Sequence, residues 1–299
     1  MQMLDLTKMT TETRNERTTD LDMMSPLEIV TVMNEEDAKI PLAIKEVLPQ
    51  IAQAVQWVTN SLRAGGRLIY MGAGTSGRLG VLDAVECPPT FGVSPDLIVG
   101  LIAGGESAFV KAVEGAEDSR TMGVDDLKNL NLCPKDVVIG IAASGRTPYV
   151  IAGLEYAKSL GCHTVAIACN CGSAIGKAAE LAIEPVVGPE VLTGSTRLKA
   201  GTAQKMVLNM ISTASMVGIG KAYQNLMVDV MQTNEKLQVR AQNILMEATD
   251  VNRETAKNLL KQAGGSVKLA VVMALLGCDA EQAQDKLNGT QGHVRGALQ

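Results

Sequence analysis

The amino-acid sequence predicts an α/β fold: a doubly wound, five-stranded parallel sheet in flavodoxin-like order, with a helical N-terminal segment and a small C-terminal helical bundle. Three observations predict it. Five short apolar runs occupy the middle of the chain, at 67–71, 97–103, 136–143, 163–168 and 181–187. Helical stretches separate them, including 109–115 and beyond, 149–160 and 173–179. From about residue 196 onward the patterns are helical alone. Near-continuous apolar strands joined by helices belong in a parallel sheet covered on both faces. In flavodoxin-like order the first and third strands are neighbours, and ligands bind in the crevice at their carboxyl ends.

Residues 1–24 are polar and threonine-rich, without helical or strand period, and read as an arm. Ser25-Pro26-Leu27-Glu28 then starts a helix: serine caps, proline occupies the first turn, and glutamate completes a capping box. That helix runs to about residue 34, and a second spans 41–64 with Ile44, Val47, Leu48, Ile51, Val55 and Val58 at helical spacing. Beyond the sheet, a long apolar helix reaches about residue 221 and another covers 226–248. Shorter helices follow at 253–262, 266–276 and 280–287, with Gly277 ending the second and Asp279 capping the third. The expected organisation is an N-terminal arm with helices over 1–55, a ligand-binding sheet domain over 56–222 and a C-terminal helical region over 223–299.

Composition narrows the function. A net charge of −5 argues against a nucleic-acid partner. No apolar run approaches the roughly 18 residues of a membrane span, and the first twenty residues lack the apolar core of a signal peptide, so a cytoplasmic protein is expected. The six cysteines form no CxxC pair and only two histidines exist, which speaks against a metal site and for free thiols. His163 opens a strand and reads as structural. With 2% aromatic residues, a sugar would be gripped by hydrogen bonds rather than stacked on rings.

Two loops carry the chemistry. Gly72, Gly74 and Gly77 match a dinucleotide fingerprint, but the second strand ends in Ala103-Gly104-Gly105 without the acidic residue that a ribose requires. Thr75 and Ser76, beside Gly77 at a helix start, instead suit a phosphate monoester, which takes hydroxyls, backbone N–H groups and the positive helix end. The second loop, after the third strand, holds Ser144, Gly145 and Thr147, on the same crevice if the sheet order is right. Arg78 and Arg146 follow the two clusters, either as anion contacts or as solvated arginines. The polar helix start 193–202, with Ser195 and Lys199, either completes the pocket, from its own chain or a partner subunit, or caps its helix. Two acidic segments, 83–90 with Glu86 and 113–119 with Glu117, lie downstream of the first two strands. Apolar neighbours such as Val85 and Cys87 would raise the pKa of Glu86 as a general acid needs.

The stretches GAGTSGRLGVLDAVECPPTFGV, VEGAEDS, GIAASGRTPYVIAGLEYAKSLG and GPEVLTGSTRLKAGTAQKMVLNM, with TTETRN and NLMVDV, closely resemble N-acetylmuramic acid 6-phosphate etherases over essentially the whole chain. The resemblance implies a sugar-isomerase-type phosphosugar-binding domain over 56–222, a homodimer, and no metal or organic cofactor. It also implies a lyase that releases D-lactate from N-acetylmuramic acid 6-phosphate and leaves N-acetylglucosamine 6-phosphate, in cell-wall recycling. The family's catalytic glutamates fall on Glu86 and Glu117; Val85 stands where serine is the commoner neighbour. A phosphosugar sensor, like the related glucokinase regulatory protein, and an aldose–ketose isomerase are the competing readings.

Overall fold

A computed structural model of the chain describes residues 9–232 and 234–299; the N-terminal part of the expected arm, 1–8, lies outside the described residues. The sheet comprises β1 (Leu68–Gly72), β2 (Ile98–Ile102), β3 (Val137–Ile141), β4 (His163–Ile167) and β5 (Leu181–Ile183). Its order is β2-β1-β3-β4-β5, all parallel, which is the flavodoxin-like order expected. β1 and β3 are buried at every position, as central strands between two helical layers must be. Gly72 is in register with both Ile102 and Ile141, so the turns after β1, β2 and β3 emerge along one edge.

The helices are α1 (Pro26–Asp37), α2 (Ile40–Lys45), α3 (Leu48–Arg63), α4 (Gly74–Phe91), α5 (Ser107–Val110), α6 (Arg120–Asn129), α7 (Pro148–Ser159), α8 (Ala174–Ala178), α9 (Lys199–Gly218), α10 (Glu235–Thr249), α11 (Arg253–Gln262), α12 (Val267–Leu276), α13 (Ala280–Gly289) and α14 (Val294–Ala297). Ser25 forms the capping box with Glu28, Gly277 ends α12 in the left-handed conformation, and Asp279 caps α13. His163 stacks on Trp57 at 4.4 Å between centroids, and its Nδ1 lies 2.9 Å from Glu180, a structural setting.

Three expectations are corrected. The single helix predicted over 41–64 is broken into α2 and α3, because Pro49 has no N–H for the carbonyl of Lys45 and its ring crowds that position. The helix predicted over 109–115 stops after one turn, at Val110. There the carbonyls of Ala108 and Phe109 accept from the Arg78 guanidinium, both at 2.8 Å, instead of serving a further helical turn. The helix predicted over 226–248 begins only at Glu235. The preceding segment is held by tertiary bonds: the Val228 carbonyl accepts from Lys268 N–H at 2.9 Å, and Asp229 pairs with the Lys268 ammonium at 2.5 Å.

Two compact units divide the chain: Met1–Val85 with Asp96–Ser212, and Glu86–Pro95 with Thr213–Gln299. The first contains the sheet. The second has its own core, in which Val228, Leu245, Val271, Val272 and Ala283 are fully buried.

Candidate functional site

The turn after β1 is tight for a steric reason. A Cβ at Gly77 would stand 2.6 Å from the Gly72 carbonyl oxygen and 2.7 Å from Ile102 Cγ1, so glycine lets α4 start directly against the strand ends. The Gly77 N–H already bonds the Ala73 carbonyl at 3.2 Å. The N–H groups of Gly74, Thr75 and Ser76 precede it in the first turn, outside the helical ladder, where an anion is favoured. Thr75 is half-buried and Ser76 buried. The Ser76 hydroxyl lies 2.9 Å from Gln204 Oε1, on the fully buried face of α9.

After β3 the chain turns through Gly145, whose φ of +73° is open to glycine and strained for other residues. A Cβ there would also meet that of Ser173 at 2.3 Å. Ser144 and Thr147 are half-buried, and Thr147 precedes α7 without a side-chain capping bond, which leaves its hydroxyl out of the helix start. The registered strand ends put this turn on the same edge as Thr75 and Ser76.

A cavity of about 320 Å³ opens at that edge. Gly74 and Arg78 line it from α4, Ala103 from the end of β2, and Glu114 and Glu117 from the segment beyond α5. Glu117 sits on a single 3-10 turn, Ala116–Asp118, and is exposed. Thus one of the two expected carboxylates shares a cavity with Gly74 and Arg78 of the first loop. Arg78 braces that wall, with its guanidinium on the two carbonyls of α5. Glu86 lies on α4 in the second unit and is exposed. Of the apolar neighbours expected to flank it, Cys87 turns inward and Val85 is 58% exposed.

The helix start at 193–202 is capped from outside. Glu190, fully buried, accepts from the N–H groups of Lys199 and Ala200, each at 2.9 Å, so a protein carboxylate occupies the positive end of α9. Burial raises the Glu190 pKa against the opposing pull of those two bonds. Lys199 points its ammonium into the fold, 2.7 Å from Glu36 on α1. Ser195 is half-buried in the turn before α9. Burial, with the charge of Glu190, pushes the Cys169 thiol up to about 12; all six cysteines are free thiols.

Sequence reasoning missed Asn170. Its buried carboxamide accepts from Thr11 N–H at 3.3 Å and donates to Thr11 Oγ1 at 2.9 Å and to the Ala143 and Ser144 carbonyls at 3.4 and 3.3 Å. Asn15 and Thr18 extend the seam by donating to the carbonyls of Pro189 and Val191. The TTETRN segment is thereby fastened to the second hydroxyl loop; its signal was threonine and asparagine density. Asn170→Ala leaves several buried polar groups unpaired and is expected to cost about 2 kcal/mol. Limited proteolysis should then cut within 9–24, and unchanged resistance would count against the seam.

The sheet order and its covering helices define a domain of the sugar-isomerase fold class. The family model of the SIS domain matches residues 119–214, and that of the glucokinase regulatory protein N-terminal SIS domain matches 50–158. Phosphoheptose isomerases from Francisella tularensis and Neisseria gonorrhoeae share the fold at TM-score 0.51, over 65% and 64% of this chain and 100% and 98% of theirs, at 15% and 16% identity. Full-length similarity is narrower. N-acetylmuramic acid 6-phosphate etherases from Geobacillus sp. and Halalkalibacterium halodurans are 60% and 58% identical to this chain. The matches span 98% and 99% of it, and 100% and 99% of the relatives. The chain belongs to the N-acetylmuramic acid 6-phosphate etherase family.

Proposed function

We propose that this protein cleaves the D-lactyl ether of N-acetylmuramic acid 6-phosphate, giving N-acetylglucosamine 6-phosphate and D-lactate, in peptidoglycan recycling. The observation that carries the site is the shared cavity: Glu117 and the start of α4 line one space of about 320 Å³. In this reading the phosphate sits on the first turn of α4 and on Ser144, Gly145 and Thr147, and the sugar extends towards Glu117.

The reaction needs an acid and a base. In the ring-opened sugar the aldehyde acidifies the proton on the adjacent carbon. Glu117, as carboxylate, takes that proton; the electron pair forms the double bond as the ether C–O bond breaks. Glu86, as acid, protonates the departing lactyl oxygen. Water then adds to the unsaturated aldehyde, with the two roles partly exchanged. Ser195 is retained as a further sugar contact. Lys199, whose ammonium bonds Glu36, is assigned to holding the start of α9.

Elimination followed by hydration makes a distinctive prediction. In ¹⁸O-water, mass spectrometry should find a heavy oxygen on the sugar carbon that carried the ether and none in the lactate, with one lactate formed per substrate consumed. Label in the lactate would mean attack at the lactyl carbon and would remove this mechanism. Conversion of fructose 6-phosphate without lactate release would favour an isomerase, and tight binding without turnover a sensor.

The domain assignment of 56–222 to phosphosugar binding and the homodimer belong to the same reading. Exposed Val85, Phe109, Val110 and Val113 support a self-association surface. Among the described residues no single helix is long and apolar enough to cross a membrane, and a cytoplasmic location is part of the proposal.

A further inference from the structure

We infer that Gln204 is a positioning residue for the phosphosugar, because its amide decides where the Ser76 hydroxyl sends its only proton. The inference rests on the assignment of the α4 start as the phosphate site. Gln204 is fully buried on α9 and reaches across to α4, where its Oε1 lies 2.9 Å from Ser76 Oγ. Its Nε2 has no hydrogen-bond partner.

That arrangement is mismatched in two ways. A serine hydroxyl carries one proton and two lone pairs, and an amide oxygen can only accept. With Oε1 facing it, Ser76 gives its proton to Gln204 and offers only lone pairs to the cleft, which a phosphate dianion repels. Meanwhile a strong donor, Nε2, is buried unpaired, a state proteins generally avoid.

Turning the terminal amide by a half rotation addresses both faults. Nε2 then donates to Ser76 Oγ, and the hydroxyl proton turns outward to a phosphate oxygen. The orphan left behind is an acceptor, which is tolerated better than a buried N–H. The amide keeps nearly the same shape in either orientation, so the packing of α4 on α9 need not change. Gln204, Ser76 and phosphate form a donor chain in which each bond polarises the next. Loading the phosphate and rotating the amide are therefore one coupled event.

A double-variant experiment with N-acetylmuramic acid 6-phosphate tests it. Ser76→Ala and Gln204→Met should each raise KM about 10-fold or more, the scale of one hydrogen bond to a charged group, with kcat changed less than about threefold. The double variant should be no worse than Ser76→Ala alone, because the amide acts only through the hydroxyl. Additive effects, or a Gln204→Met effect confined to kcat, would overturn the inference. An unchanged KM in Ser76→Ala alone would instead strike the phosphate assignment beneath it. The wild-type protein gives a second check. Titration with inorganic phosphate should shift the side-chain amide resonances of Gln204, assigned by their absence in Gln204→Met, and resonances unmoved at saturation would overturn the coupling.

Discussion

Glu117→Gln is expected to lower the rate of lactate release by about 10²–10⁴-fold, the usual contribution of one acid–base group. Substrate binding, measured by calorimetry on the inactive variant, should change far less, because the proposed phosphate anchors lie on other elements. The side chain is exposed on a short 3-10 turn, so its replacement removes no packing. The melting temperature should shift by no more than about 0.5 kcal/mol implies. Glu86→Gln is expected to show the same division between turnover and stability. Unchanged turnover in both variants would remove the two-carboxylate mechanism.

Glu36→Gln should have the opposite signature, a large loss of stability. Glu36 is 1% exposed and meets Lys199 at 2.7 Å, Lys39 at 2.6 Å and Arg17 at 3.0 Å. Burial alone would raise its pKa; the bonds from Lys199, Lys39 and Arg17 outweigh burial and hold it at about 2. Glutamine leaves the Lys199 ammonium, itself 1% exposed, facing a neutral amide. Removing one partner of a buried pair costs about 3–5 kcal/mol. Lys199→Met should cost less, because Lys39 and Arg17 still neutralise Glu36. Urea unfolding followed through Trp57 measures both, and equal midpoints for the two variants would contradict this asymmetry.

The same cluster sets a pH dependence. A carboxylate with a depressed folded pKa stabilises the protein above its unfolded pKa and loses that contribution as pH falls towards the folded value. For Glu36 the contribution is complete above 4.5 and fades as pH falls to about 2. The difference corresponds to about 3 kcal/mol. Glu36→Gln should therefore flatten the acid limb of the stability profile in that window.

Much of this was legible along the chain. The five strands are apolar runs bounded by turn residues, and the caps at Ser25, Gly277 and Asp279 use chemistry within a few residues of the helix end. The hydroxyl loops were readable because a glycine-rich strand–helix turn places its own side chains. The failures share a cause. At 109–115 and 226–232 the local pattern permits helix, but partners remote in sequence, Arg78 and Lys268, take backbone groups that helix would use.

By itself the sequence determined the sheet, the strand–helix turns and the hydroxyl groups those turns carry, because each is set by residues within a turn or two of one another. Only the tertiary structure decided how those groups are held: Ser76 by Gln204, 128 residues away, Thr11 by Asn170 at 159, and Lys199 by Glu36 at 163. A lone polar residue looks the same whether it ends in water or in the interior. Its partner is chosen when the sheet brings distant segments together and burial makes an unpaired polar group too costly to leave.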